Sequence, residues 1–279
     1  MQSGGNNSVA LTTTSAASLT AVSSGSLTAE VPAPLTEIAA GGMGRRLSTG
    51  ERLFDVAITI ALMPVILIIG AMIALAIFID SPGPVTYRSR RLGRDGAPFD
   101  MLKFRKMRRE ADSHPVTLDD DARFTPIGRF LAATRLDELP QVWNVLRGEM
   151  RLVGPRPELE CFVAQYPAQY REILTVAPGI TGNAQLMFLD ERHLLHGHDP
   201  VTRYSTHVLP VKIDIDLDYV ASRSLIGDLA ILARTALLPI ALLIEQARTP
   251  SSSMRRWIPA AASSALLGLL FIVVSGHLP

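Results

Sequence analysis

An uncharged run of 24 residues, Val56 to Ile79, constrains this chain more than any other feature. Its length permits a membrane span, because about 20 apolar residues cross the hydrocarbon core. Pro64 interrupts the run and Gly70 follows. A proline inside a helix removes one backbone hydrogen bond and clashes with the preceding turn, so a break is expected there. Arg45, Arg46 and Arg52 precede the run; Arg88, Arg90, Arg91 and Arg94 follow it. A simple span carries its Lys/Arg excess on the cytoplasmic side alone. Arginine on both flanks favours a re-entrant helix with both ends on one face, with a single span as the alternative. Ser81-Pro82-Gly83-Pro84 stops the helix.

The chemistry-bearing stretch lies further on. Leu136-Asp137-Glu138-Leu139-Pro140-Gln141 is followed by Val153-Gly154-Pro155-Arg156-Pro157, with Arg135, Arg147 and Arg151 close by. Taken alone, an Asp-Glu pair is most simply a solvated acidic turn. Among these cations it suits a phosphate ester. One carboxylate can attack phosphorus or hold a metal, while guanidiniums neutralise the phosphoryl oxygens.

Composition narrows the class. The formal net charge of +1 gives no argument for nucleic acid. Positive charge is clustered instead, at Arg88 to Arg94 and at Lys103, Arg105, Lys106, Arg108 and Arg109, where it can face phosphates or anionic lipid. A single cysteine, Cys161, excludes an intrachain disulfide framework and a cysteine zinc site. His193, His196 and His198 fit no strong zinc spacing and read as a polar loop.

Residues 1–42 are rich in Ser, Thr, Ala and Gly and read as a disordered segment without a secretory signal pattern. Residues 43–84 form the re-entrant unit and 85–246 a catalytic domain. Residues 247–279 are a linker and an apolar C-terminal helix, Ile258 to Val274, which either anchors the chain or associates copies of it. Within the catalytic domain, Val85 to Leu92 and Ala97 to Phe104 read as a hairpin around Gly93-Arg94-Asp95-Gly96. Helices are expected from near Phe104, over Pro126 to Leu146 and over Glu158 to Thr175. Leu225 to Ile244 reads as an interfacial amphipathic helix. Gly179 and Gly182, in a turn from Pro178 to Gly182, are expected to let backbone approach a ligand. The fold class is α+β, mostly helical with a small β-hairpin, embedded in one leaflet.

Several segments, in this order and spacing, carry a resemblance. They are Arg52-Leu53-Phe54-Asp55, Lys103-Phe104-Arg105-Lys106-Met107, Leu136 to Gln141, Asn144 to Met150, Val153 to Pro157 and Pro178 to Gly182. From about Arg45 to Thr235 the chain resembles the bacterial sugar transferases, the monotopic phosphoglycosyl transferases. Membership implies transfer of a sugar-1-phosphate from a nucleotide-sugar, a UDP-sugar, to polyprenyl phosphate. The reaction would start a lipid-linked glycan (exopolysaccharide, capsule or O-antigen) at the cytoplasmic face of the bacterial inner membrane. The resemblance also implies Asp137 as nucleophile, an aspartyl-phosphosugar intermediate, and Glu138 as ligand of Mg2+. Arg156 is the phosphate ligand, with Lys103 and Arg105 as further cations. Thr181 and Gln185 fall in a family loop near the site, and Asp216 matches a family aspartate, although Asp218 competes for that match.

Two departures stand out. The family has Ser-Pro at the helix break, where this chain has Met63-Pro64. It also has arginine five residues before the nucleophile and serine two before, where this chain has Ala132 and Arg135. Arg135 is read as supplying the missing charge from the same helical face. The alternative functions are a membrane-bound nucleotide-sugar hydrolase and a non-catalytic assembly protein.

Overall fold

A computed structural model describes residues 49–108, 116–118, 121–189, 191–195 and 199–248. The expected disordered segment 1–42, the helix at 258–274 and the histidines at 196 and 198 lie outside the described residues, as does the side chain of His193. The described chain is mostly helical with two small sheets, consistent with the expected class.

Helix α1, Thr49–Asp80, contains the whole apolar run and continues through Pro64 without interruption. At 1.5 Å per residue its 32 residues reach about 48 Å. By length and composition it is able to cross a membrane. Its two ends dock on the same body. Near the start, Asp55 and Thr59 are buried; near the end, Ile73 and Ile77 are. Between them, Ile60, Leu62, Val65, Leu67, Ile68 and Met72 are exposed.

The expected hairpin is present. Strands β1 (Thr86–Leu92) and β2 (Pro98–Phe104) pair antiparallel, with Thr86 opposite Phe104 and Leu92 opposite Pro98. Asp95 holds a left-handed conformation at the tip, and its N–H donates to the carbonyl of Leu174 at 2.7 Å. The other edge of β2 is closed by a side chain. Asn144, fully buried, accepts from the N–H of Leu102 at 3.0 Å and donates to the carbonyl of Asp100 at 2.8 Å. That satisfies backbone groups which an open strand edge leaves unpaired.

Several expected helices come out shorter. Among the described residues 105–108 no helix begins after Phe104; Met107 bridges to Phe124 instead. The run from Pro126 breaks into helix α2 (Pro126–Thr134), a 3-10 segment (Leu136–Gln141) and helix α3 (Val142–Arg147). The break falls at Arg135, whose φ of 59° is left-handed. Glu158 to Thr175 splits into α4 (Glu160–Val163) and α5 (Pro167–Ile173), because Pro167 cannot continue a helix and starts a new one.

Strand β3 (Arg151–Val153) pairs in parallel with β4 (Gly179–Thr181), where a turn was expected. The glycines there serve this pairing rather than a ligand. A Cβ on Gly179 would lie 2.1 Å from the nitrogen of Gly154, and one on Gly182 2.4 Å from the Gly154 carbonyl oxygen. Helices α6 (Asn183–Met187) and α7 (Pro200–Arg203) follow, then a π-turn (Tyr204–Val208), α8 (Leu209–Ser222) and α9 (Leu225–Arg248). At the start of α9 the polarity is inverted relative to a water-facing helix, as the interfacial reading expects. Asp228 is buried, while Leu225, Ile226 and Leu229 are exposed.

Arg151 explains the inversion. Its buried guanidinium lies 2.9 Å from Asp55 of α1 and 3.0 Å from Asp228 of α9. Tyr219 also donates to Asp228, at 2.8 Å. Three distant segments therefore meet at one charge. Removing one partner of a buried ion pair leaves the others uncompensated, at about 3–5 kcal/mol. Arg151→Met is expected to destabilise the protein by that amount. Adding Asp55→Asn and Asp228→Asn should recover part of the loss, as read by thermal melting in nanodiscs.

Candidate active site

A cavity of about 160 Å3 opens beside the 3-10 segment, lined by Asp137 and Glu138 and by the cations Arg91, Lys103, Lys106, Arg135, Arg156 and Lys212. Local structure explains how these arrive. Thr125 caps α2, its hydroxyl accepting from the N–H of Gly128 at 2.9 Å, and Pro126 occupies the first turn. Gly128 lets α2 lie against the Lys106 backbone, since a Cβ there would sit 1.8 Å from the Lys106 carbonyl oxygen. That contact fixes Lys106, whose ammonium lies 3.0 Å from Asp137 Oδ2. Asp137 itself is only 1% exposed.

Glu138 points its carboxylate at two other cations. Its Oε1 accepts from Lys103 Nζ at 3.0 Å and from Arg156 Nη2 at 2.8 Å. Burial raises the pKa of Glu138, but Arg156 and Lys103 outweigh it and hold the carboxyl well below the usual carboxylate range. Burial pushes the Lys103 ammonium down to about 8 against the pull of Glu138. The adjacent carboxylates thus have separate partners. Arg135 leaves the helix at its left-handed turn and donates to the carbonyl of Leu189 at 2.8 Å.

The opposite wall contains Glu158, Glu191, Tyr204 and Lys212. Behind it stands Asp216, which accepts a hydrogen bond from the backbone N–H of Arg156 and is raised to about 7 by burial. Carboxylates beside cations in one cavity suit capture of a phosphorylated ligand and nucleophilic or metal-assisted attack on it.

The profile of one family, described as bacterial sugar transferase, matches residues 46–241. The chain belongs to this family. It is 38% identical over 190 residues to the UDP-glucose:undecaprenyl-phosphate glucose-1-phosphate transferase of Caulobacter vibrioides, covering 66% of this chain and 67% of that protein. The protein of the same description from Escherichia coli is 39% identical over 162 residues, covering 55% of this chain and 33% of its own length. A UDP-N-acetylgalactosamine-undecaprenyl-phosphate N-acetylgalactosaminephosphotransferase of Aeromonas hydrophila is 33% identical over 192 residues, covering 66% of this chain and 42% of its own length. All three relatives are named as phosphotransferases, and the chain spans less than half the length of the last two.

Among the residues singled out from the sequence of this family member, Asp137, Glu138, Lys103, Arg135 and Arg156 converge on the cavity. Four do not line it. Arg105 donates to the carbonyl of Ser81 at the end of α1. Thr181 shares a 2.8 Å hydrogen bond with Thr235 of α9, and Gln185 donates to the carbonyl of Gly154 at 3.3 Å. Asp216 lies behind the lining, bonded to the Arg156 backbone and within electrostatic reach of Lys212 and Glu158. Ala132 and Arg135 both line the cavity, but not from one helical face, because the helix ends between them. Lys106 and Arg91 enter the sequence reading only as members of basic clusters able to face phosphates or lipid, and the structure brings both to the cavity. Sequence reasoning missed Glu158, Glu191, Tyr204 and Lys212, which carry no motif.

Asp216 supplies a pH test. Its folded pKa of about 7 lies above the unfolded 3.8, so the neutral form is favoured by folding. That stability is complete below pH 3.8 and is lost as pH rises through about 7, at up to about 1.4 kcal/mol per pH unit. Asp216→Asn is expected to remove this loss. Melting temperatures of wild type and variant should diverge between pH 5 and 8, with the variant the more stable at the upper end.

Proposed function

We propose that this chain transfers a sugar-1-phosphate from a UDP-sugar to undecaprenyl or a related polyprenyl phosphate, through an aspartyl-phosphosugar intermediate. One observation carries the reading: buried Asp137 beside Lys106, next to a Glu138 held by Lys103 and Arg156, in one cation-lined cavity. The names of the relatives supply the donor and acceptor classes.

In the first step an Asp137 oxygen attacks the phosphorus that bears the sugar. The phosphorus–oxygen bond to the nucleoside monophosphate breaks, and UMP leaves with the bonding pair. In the second, a phosphate oxygen of the lipid attacks the same phosphorus and the Asp137 carboxylate is released. Lys106 orients Asp137 for attack. Lys103, Arg135 and Arg156 hold phosphoryl oxygens where charge develops.

A magnesium ion fits the donor set. Among the described residues no group of three or more His, Cys, Asp or Glu could form a protein cage. Mg2+ is commonly held by one or two carboxylates plus substrate phosphates and water. Glu138 would hold it, and the ion would neutralise phosphoryl charge.

The helix α1 is read as re-entrant, lodged in the cytoplasmic leaflet of the inner membrane. Support comes from its two ends. Arg52 donates to the carbonyl of Leu146 at 2.7 Å and Asp55 pairs with Arg151; at the other end Ile73 and Ile77 pack on Phe104 and Leu131. The middle, around Pro64, presents apolar side chains outward on most sides, and exposed Leu75, Phe78 and Ile79 carry that surface to the C-terminal end. Exposed Leu225, Ile226 and Leu229 of α9 extend this apolar surface to the interface reading. The glycan begun by such a transfer is a bacterial surface polysaccharide.

Asp137→Asn is expected to abolish turnover, losing at least about 3 kcal/mol of transition-state stabilisation, a hundredfold or more in rate. Glu138→Gln should cripple turnover and raise the Mg2+ requirement. The assay is UMP release from UDP-sugars with and without polyprenyl phosphate. Multiple turnover only with the lipid marks a transferase, turnover without it a hydrolase. A folded Asp137→Asn protein keeping more than about a tenth of the rate would sink the covalent mechanism.

Topology is tested by single cysteines at the exposed positions Thr49 and Thr86 in a Cys161→Ser background. Both should resist a membrane-impermeant thiol reagent in intact cells and react after permeabilisation. Labelling of one alone in intact cells would establish a span.

A further inference from the structure

The transferase reading uses one end of the cavity. The wall facing it is built from four parts of the chain that share no motif: Glu158 after the Gly-Pro-Arg-Pro turn, Glu191, Tyr204 and Lys212. Lys212 Nζ donates to Glu191 Oε2 at 2.8 Å and to Tyr204 Oη at 3.1 Å, and lies 3.7 Å from Glu158 Oε1. Tyr204 in turn donates to Glu158 Oε1 at 2.8 Å. The ring of Tyr204 packs on Phe162, centroids 4.8 Å apart.

Folding does not call for this arrangement. Two carboxylates and an ammonium withdrawn from water are often no more stabilising than apolar residues of the same volume. Tyr204 also opens a π-turn, a local irregularity frequent at functional sites. The carboxylates of Glu158 and Glu191 carry the charge that repels a phosphate, although Arg91, 3.7 Å from Glu158, and Arg156 stand near them.

The chemistry left to this wall is that of hydroxyl groups. Each hydroxyl both donates and accepts. Carboxylates accept from them, the ammonium donates to them, and a phenol does both. Burial and Glu158 hold the Tyr204 phenol neutral. Two rings of the donor carry hydroxyls, the transferred sugar and the ribose. The sugar is bonded through one oxygen to the phosphorus that Asp137 attacks, whereas the second phosphate intervenes before the ribose. A cavity of about 160 Å3 that already contains the attacking carboxylate has room beside it for the nearer ring.

We propose that Glu158, Glu191, Tyr204 and Lys212 form the subsite that reads the hydroxyls of the transferred sugar and sets which UDP-sugar is used. This rests on the transferase reading above.

The variants are Glu191→Gln, which keeps the shape of the side chain, and Tyr204→Phe, which keeps the ring; Lys212→Met is avoided because it would strand two buried carboxylates. Each is measured as the full chain in nanodiscs, with kcat/KM for UDP-glucose, its C4 epimer UDP-galactose and UDP-N-acetylgalactosamine, and with competitive inhibition by UMP. A site that hydrogen-bonds substrate hydroxyls discriminates strongly, so the ratio between the preferred donor and its epimer should change by about tenfold or more in at least one variant. Inhibition by UMP should stay within about twofold of wild type. Unchanged donor ratios with weakened UMP inhibition would assign the wall to the ribose and overturn the proposal. Unchanged ratios with unchanged UMP inhibition would leave the wall a structural network, which overturns it equally. Absence of UMP release by the wild type itself, with any UDP-sugar and lipid, would instead defeat the transferase reading.

Discussion

Arg151 is the charge on which the rest of the molecule is hung. Among the described residues it is the largest fully buried side chain, and its carboxylate partners come from α1 and α9. A buried guanidinium is tolerable only with its carboxylates in place, so the first turns of two long apolar helices are drawn to one point. Glu51 extends the network by accepting from Arg223 at 3.1 Å. Strand β3, so anchored, runs directly into the Gly-Pro-Arg-Pro turn, and that turn delivers Arg156 to Glu138. The placement of Arg156 thus descends from the packing of helices well away from it.

Charge neutralisation inside the cavity follows the same economy. Lys103 and Arg156 share one oxygen of Glu138, while Lys106 faces Asp137. The four cations near the dyad are held at close range by carboxylates or carbonyl groups before any substrate arrives. A phosphoryl group entering here exchanges one set of anionic partners for another, which reduces the cost of assembling like charges.

Much of this was legible in the sequence. The hairpin followed from alternation around Gly93 to Gly96, the dyad from its adjacent carboxylates, and α1 from its uncharged run. The failures have physical causes. Arg135 adopts a left-handed backbone that composition does not announce, so a single long helix was expected where two short ones and a 3-10 turn occur. Strand β2 ends at Phe104, and the chain then bends, so Lys106 reaches Asp137 while Arg105 turns to Ser81. The glycines near Gly179 looked like ligand contacts because close approach by backbone leaves the same signature as close approach by a ligand. Glu158, Glu191, Tyr204 and Lys212 were illegible because only tertiary folding assembles them.

Phe104, Arg105 and Lys106 are consecutive, yet they address three different things. Phe104 packs against α1, Arg105 holds the carbonyl that ends it, and Lys106 meets Asp137. A stretch of three residues has almost no slack, since neighbouring Cα atoms are fixed at about 3.8 Å. Any shift of the apolar helix along or across its axis is therefore transmitted to the ammonium beside Asp137. The seating of α1 and the alignment of Asp137 are a single mechanical variable, so a lesion in the greasy helix registers as a loss of chemistry at the acidic pair.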